Sequence, residues 1–213
     1  MFQKEYKQKD FYWGLKPNPI LEEFINIIPK GRALDIGAGE GRNSIFLAQN
    51  GFLVEAIDKI SEGLEKCKKL AKKHNLSINI IVQDVREFNF QEGKYSLILA
   101  IASLDFLKKI EVERILTKIK KSLVSSGFVL LVVFSTEDPL YQKIKVMGLK
   151  EIEENTFFLP KSNSYRHFFT KDEIRNAFND FEIIRLKQKM IEDTSHGKPH
   201  FHNTIILLAK KIR

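Results

Sequence analysis

The stretch Arg32-Ala33-Leu34-Asp35-Ile36-Gly37-Ala38-Gly39-Glu40-Gly41-Arg42-Asn43 restricts what this chain can fold into more than any other. A short apolar run carries an aspartate near its end, passes three glycines at alternate positions and opens into an amphipathic segment. That order predicts a strand, a tight turn and a helix start, the junction at which open α/β sheets bind nucleotides. Glycines at such a turn allow φ > 0 and let a ligand approach the backbone with no Cβ in the way.

The chain on either side repeats the same rhythm. Asn18 caps a helix with Pro19 at its first position, and Ile20, Leu21, Phe24, Ile25 and Ile28 supply its apolar face. Strand one covers about 32–36, a short helix 43–49, strand two 52–58 and a Lys-rich helix 60–74. Strands three and four follow at 78–82 and 95–101, then a helix around 109–124 and a fifth, most apolar strand at 127–134. Strands separated by helical segments predict a doubly wound parallel sheet. Beyond it the rhythm changes. Residues 136–170 read as an irregular insertion on the substrate side, a helix capped by Thr170 runs to about 179, and runs at 181–189 and 201–209 form a terminal hairpin. The whole of 1–213 reads as one domain, with 1–30 as an N-terminal segment whose rings, Phe11-Tyr12-Trp13, either pack on the domain or close over a ligand.

Bulk properties narrow the function classes. One cysteine, Cys67, excludes an intramolecular disulfide framework and a multi-cysteine metal site. The N-terminus has no apolar signal core and no run approaches the ~20 residues of a membrane span, so a cytoplasmic protein without membrane contact is expected. A net charge of +8 suits a polyanionic partner, but the lysines are spread over several helices. Nucleic acid is therefore not the expected partner, and the charge alone does not exclude it.

The glycine turn must still be matched to a ligand. A phosphate-binding loop ends Gly-Lys-Ser/Thr, whereas this chain has Gly41-Arg42-Asn43. A dinucleotide site wants its third glycine where Arg42 stands. The spacing found, Asp-x-Gly-x-Gly-x-Gly, resembles the first motif of the class I methyltransferases that use S-adenosylmethionine. Within that superfamily Gly41-Arg42-Asn43-Ser44, the entry Tyr12-Trp13-Gly14-Leu15-Lys16-Pro17 and the run from Leu97 to Phe106 resemble the tellurite-resistance TehB-like family.

That resemblance implies a Rossmann-like α/β fold, a doubly wound seven-stranded sheet with the last strand antiparallel. It also implies a cofactor site. Gly37, Gly39 and Gly41 would lie under the methionyl part of S-adenosylmethionine, and Asp35 would bind its amino end. Asp58 would accept the ribose hydroxyls, while Asp84 with Val85 would face the adenine. Ala100, Ile101 and Ala102 would line the pocket near the sulfonium, with Arg42, Lys59 and Trp13 completing the cofactor set. Carboxylates accept from hydroxyl and amino donors and suit a ligand of fixed positive charge.

Methyl transfer needs alignment more than acid–base chemistry, because the methyl group arrives activated. The sequence after strand four lacks the Asp/Asn-Pro-Pro-Tyr/Phe motif of adenine-N6 methyltransferases, and no cysteine pair supports cytosine methylation. A small-molecule acceptor is expected, a metalloid oxyanion by the family resemblance. An RNA or protein methyltransferase and a non-catalytic cofactor-binding module are the alternatives. Candidate acceptor or catalytic residues come late: Arg166, His167, His196, His200 and His202. An antiparallel last strand would start at the ligand edge of the sheet, with His200 and His202 on one of its faces. The histidines either handle the acceptor and its protons, or are solvated loop residues, or bind a metal. No metal is expected, since no carboxylate or thiolate spacing accompanies the imidazoles.

Overall fold

The computed structural model describes residues 2–8, 10–194 and 198–212. Seven strands form one sheet: β1 (Arg32–Ile36), β2 (Leu53–Asp58), β3 (Ile78–Val82), β4 (Tyr95–Ile101), β5 (Leu123–Phe134), β9 (Phe181–Asp193) and β10 (His200–Lys211). Their order is β3-β2-β1-β4-β5-β10-β9. β1 to β5 pair in parallel, while β10 runs antiparallel to both β5 and β9. The order reverses between β1 and β4, which opens a crevice at the carboxyl ends of those strands, where doubly wound sheets hold ligands.

Period-2 alternation builds a core on each face of the sheet. Leu34, Ile36, Ile98, Ala100, Val129, Leu131, Ile205 and Leu207 pack on one face with Val112, Ile115 and Ile119 of α5 (Lys109–Ser122). Ala33, Leu97, Leu99, Leu130, Ile206 and Leu208 pack on the other, against Ile20 and Leu21 of α2 (Pro19–Phe24) and Leu47 of α3 (Arg42–Gln49). Helix α2 is shorter than its apolar spacing predicts, yet Ile25 and Ile28 in the following turn remain buried. The hairpin strands are longer than expected, at 181–193 and 200–211. At residues 123–126 α5 passes straight into β5.

The expectation of an irregular stretch at 136–170 is corrected. It contains α6 (Pro139–Val146) and a second, antiparallel sheet of β6 (Glu151–Glu153), β7 (Thr156–Leu159) and β8 (Ser164–His167). Strands of three or four residues are too short to display alternation. They hold together by burying Phe157 and Phe168 against Ile144, Tyr141 and Leu140 of α6. Asp138 caps α6 by accepting from Leu140 N at 2.8 Å, with Pro139 at the first helical position. A bridge between Ser135 and Phe169 fastens this unit to the carboxyl end of β5. Helix α7 (Lys171–Ala177) then leads into β9.

Candidate functional site

The glycine turn joins β1 to α3 with Gly37, Gly39 and Gly41 all at positive φ. At Gly39 a Cβ would stand 2.7 Å from the Tyr6 hydroxyl, and at Gly41 it would strike Cys67 of α4 (Ser61–Lys73). These two glycines therefore seat Tyr6 of the N-terminal segment and a helix against the turn, in addition to permitting its backbone path. Cys67 is fully buried and its thiol is pushed up to about 12 by desolvation, so it is a packing residue.

The residues after the turn divide between the carboxylate of β1 and the N-terminal segment. The Arg42 guanidinium donates to Trp13 O at 3.0 Å, and Asn43 Oδ1 accepts from Asn18 N at 2.8 Å. Ser44 donates to Asp35 Oδ2 at 2.6 Å. Glu40, buried, accepts from Trp13 N and pairs with Lys66 at 2.6 Å, while Lys66 also donates to Asp10 O. The N-terminal segment is thus fastened across the ligand edge. Tyr6 and Trp13 share a hydrogen bond of 3.1 Å, and Phe2 stacks edgewise on both Trp13 and Phe106. Phe106 belongs to the 3-10 turn Leu104–Phe106 after β4, so this segment spans the crevice from the β1 turn to the β4 turn. Tyr6 and Glu40 were not anticipated. Their signal lies largely in partners distant in sequence, Gly39 for Tyr6 and Trp13 and Lys66 for Glu40, which no local pattern reveals.

The proposed cofactor carboxylates occupy different environments. Asp35 is 2% exposed, and burial pushes it up to about 6 against the lowering bond from Ser44. Asp58 closes β2 and accepts from Gly39 N and Ile60 N, each at 2.9 Å; burial raises its pKa. Each of its oxygens accepts one of these bonds and so retains acceptor capacity. Asp84 is instead clamped by Arg86 through Oδ1 at 2.9 Å and Oδ2 at 2.7 Å, which lowers its pKa, and Arg86 pairs onward with Glu111. Most of its acceptor capacity is thereby used. Val85 beside it is half-buried, and Lys59 is exposed. Ala100 is buried at the end of β4, Ile101 half-buried, and Ala102 takes a left-handed φ of 48° while donating to Val132 O at 2.7 Å. Ser103 lies over Gly37, and its buried hydroxyl has no partner. A lone donor above the glycine turn, with carboxylates at the ends of β1 and β2, fits a polar ligand of positive charge.

Across the crevice stands a residue of opposite character. Arg166 of β8 lies over the Phe106 ring at 4.1 Å and near the Phe134 ring at 5.1 Å. Its Nε and Nη1 are buried without partners. Burial lowers its pKa, opposed by the charges of Asp105 and Asp138. Asp105, fully buried in the turn after β4, accepts from Phe134 N through Oδ1, while its Oδ2 has no partner. Burial pushes Asp105 up to about 6, with Arg166 the main opposing influence. Asp105 was missed, because an aspartate in the run Leu104-Asp105-Phe106 looks like a solvated turn residue until the turn is buried.

The remaining candidates separate. His167 is fully buried between Thr156 Oγ1 at 2.8 Å and Glu173 Oε1 at 3.0 Å, so it braces β8 against α7 and does not face the crevice. His200 and His202 do begin β10 at the ligand edge, with ring centroids 4.8 Å apart. His202 Nδ1 meets Asp138 Oδ2 at 3.0 Å, and its ring lies 4.6 Å from Phe134. His196 lies outside the described residues. The absence of a carboxylate near the imidazoles, expected from linear spacing, is corrected: the hairpin register sets Asp193 opposite His200. Among the described residues no helix is long and apolar enough to cross a membrane.

A family model described as tellurite resistance protein TehB matches residues 3–197. The chain is 24% identical over 193 residues to a probable S-adenosyl-L-methionine-dependent methyltransferase TehB of Haemophilus influenzae, covering 88% of this chain and 60% of that one. It is 25% identical over 187 residues to a ubiquinone biosynthesis O-methyltransferase of Rickettsia akari, covering 82% and 72%. The crystal structure of TehB from Haemophilus influenzae superposes with a TM-score of 0.73 at 23% identity, over 99% of this chain and 65% of that one. The chain thus spans about three fifths of the length of the curated TehB relative.

Proposed function

This chain belongs to the TehB family of tellurite-resistance proteins, and on that premise we propose that it transfers a methyl group from S-adenosylmethionine to a small anionic acceptor, with a metalloid oxyanion as the first candidate. The cofactor would supply a methyl group already activated on a sulfonium. Asp58, with acceptor capacity left on both oxygens, would accept the ribose hydroxyls, and Asp35 with Ser103 would offer polar partners at the glycine turn. The N-terminal segment, tied down through Arg42, Glu40 and Asn43, keeps water from the crevice.

The observation that carries the acceptor half is Arg166. A guanidinium dehydrated between two aromatic rings, with two donor atoms unpaired, calls for an anion. Asp105 Oδ2 beside it suits an acceptor that carries both an oxyanion and a hydroxyl, and a carboxyl near 6 can take up the hydroxyl proton around neutrality. Arg166 and Asp105 would hold the acceptor so that its lone pair could bond the methyl carbon while the carbon–sulfur bonding pair is left on the cofactor's sulfur.

Two measurements test this. Calorimetry of folded Asp58→Ala should show S-adenosylmethionine binding weakened ~10- to 150-fold, the equivalent of ~1.5–3 kcal/mol for charge-assisted bonds. Release of S-adenosylhomocysteine should appear with tellurite or selenite. Unchanged affinity in Asp58→Ala sinks the cofactor assignment, and release with neutral acceptors alone sinks the acceptor assignment.

A further inference from the structure

The terminal hairpin gathers three groups that the methyl-transfer reading does not use. One ligating atom each from Asp193, His200 and His202 lie within 4.8 Å of one another. The cluster forms because His200 pairs with Asp193 and His202 with Ile191 across the β9–β10 ladder. With period-2 alternation, this places Asp193, His200 and His202 on a common face at the strand ends. All three side chains are half-buried. The cluster stands where the hairpin approaches the start of α3, since the Asp193 charge acts on Arg42.

The tautomers of the two imidazoles are set by their neighbours. His200 Nδ1 lies 2.9 Å from Lys198 O. A carbonyl oxygen only accepts, so Nδ1 carries the hydrogen and Nε2 the lone pair. His202 Nδ1 lies 3.0 Å from Asp138 Oδ2, which also accepts from Asn203 N at 3.0 Å. Asp138 is 1% exposed, and its other oxygen caps α6. That carboxylate is therefore a fixed acceptor, and it fixes the His202 ring in the same sense. Imidazoles that ligate metals are characteristically held this way, one ring nitrogen donating to a carboxylate or carbonyl while the other faces the ion. Two independently oriented rings beside a carboxylate form a ligand set, not a chance cluster.

We propose that Asp193, His200 and His202 bind one divalent transition-metal ion, through the two Nε2 atoms and a carboxylate oxygen. Two imidazoles and one carboxylate suit zinc or iron(II) over calcium or magnesium, which prefer oxygen ligands. Bonds of ~2.0–2.1 Å to one tetrahedral ion put ligand atoms about 3.3 Å apart, so ligand atoms within 4.8 Å of one another close by up to about 1.5 Å on binding. Three protein ligands leave at least one position for an exogenous oxygen, the pattern of catalytic and not of structural sites. His202 and Arg166 both lie near the Phe134 ring, at 4.6 and 5.1 Å, so the ion would stand on the acceptor side of the crevice. The inference does not depend on methyl transfer.

Untagged protein stripped with a chelator is titrated with Zn2+ in a calorimeter, and cobalt(II) absorption is recorded as a second readout. One ion per chain is expected, weakened at least ~10-fold in His200→Ala, His202→Ala and Asp193→Asn, and unchanged in His74→Ala, which alters an exposed histidine at the end of α4. Intense visible cobalt bands, signalling low coordination number, should disappear in the same three variants. Asp193 and His200 are only half-buried, so their variants should keep the parent circular dichroism. Absence of saturable one-to-one binding, or binding unaffected by both Asp193→Asn and His202→Ala, overturns the proposal. Loss of binding in His74→Ala does so as well, because it moves the site elsewhere.

Discussion

Replacing Arg166 with methionine separates a ligand-binding cation from a structural one, because the two roles predict opposite balances of stability and affinity. The guanidinium lies over Phe106 and Phe134, and each such contact contributes ~0.5–2 kcal/mol. Against this, its Nε and Nη1 are buried without partners, and each unsatisfied donor costs ~1–3 kcal/mol. The opposing sums, ~1–4 and ~2–6 kcal/mol, nearly cancel. Methionine keeps much of the ring packing and removes the orphaned donors. Arg166→Met should therefore unfold in urea within ~2 kcal/mol of the parent, with stabilisation as probable as loss, and melt within several degrees of it. An anionic acceptor would lose a charge-assisted bidentate partner, so its KM should rise ~10- to 150-fold. Calorimetric affinity for S-adenosylmethionine should stay within a few fold, because Arg166 faces Asp105 and not Asp58. Arg166→Lys should recover only part of the acceptor affinity, since an ammonium keeps the charge and loses the planar stack. A stability loss above ~3 kcal/mol with unchanged KM would refute the reasoning and make Arg166 a strut of the small sheet.

Two further outcomes follow from buried ionisable groups. Asp35, held at about 6 against a model-peptide value near ~3.9, binds its proton more tightly folded than unfolded. The native state then carries the extra proton between about pH 4 and 6, so stability from this group falls as pH rises through that window and is flat above it. Asp35→Asn keeps an acceptor for Ser44 and should flatten part of that slope in urea midpoints; Asp105, also at about 6, accounts for a second part. An unaltered slope would contradict the burial of Asp35. His167→Ala leaves a cavity and removes the ring that joins Thr156 Oγ1 to Glu173 Oε1, so chemical denaturation should show a loss of ~3 kcal/mol or more, while turnover per folded molecule stays within a few fold of the parent.

The large sheet was legible because its strands are long and its helices periodic. Leu34, Ile36, Leu97, Ile98, Leu130 and Leu131 state both faces of a parallel core in sequence alone. The glycine turn and its following Asp58 were equally plain, since spacing fixes them locally. What spacing could not reveal was pairing at a distance. Asp84 reads as a free strand-end carboxylate until Arg86 folds back on it. His167 and Arg166 are neighbours in sequence, yet alternation along β8 turns one into the core of the small sheet and the other toward Phe106 and Phe134. Arg42 enters the cofactor set from the sequence, which does not show that its guanidinium donates to the Trp13 carbonyl of the N-terminal segment. Asp193 gained a partner set only through the hairpin register.

The position of the charged groups around the crevice bears on the direction of the proposed reaction. Asp35, Asp58 and Glu40 stand on the β1–β2 side, where a sulfonium cofactor would sit. Arg166 stands on the β4–β5 side with Asp105 and Asp138 near it, against two rings that keep water away from its charge. A cationic donor and an anionic acceptor placed between these groups would each face the opposite sign of fixed charge, and would also attract one another across the transfer axis. Low local dielectric magnifies such terms. Once the methyl group moves, the sulfonium becomes a neutral thioether and the acceptor loses negative charge. Both attractions then fall together, leaving Asp58 and Arg166 with weaker partners than before transfer. The same groups that align the substrates would therefore favour release of the products, without any group having to change its position.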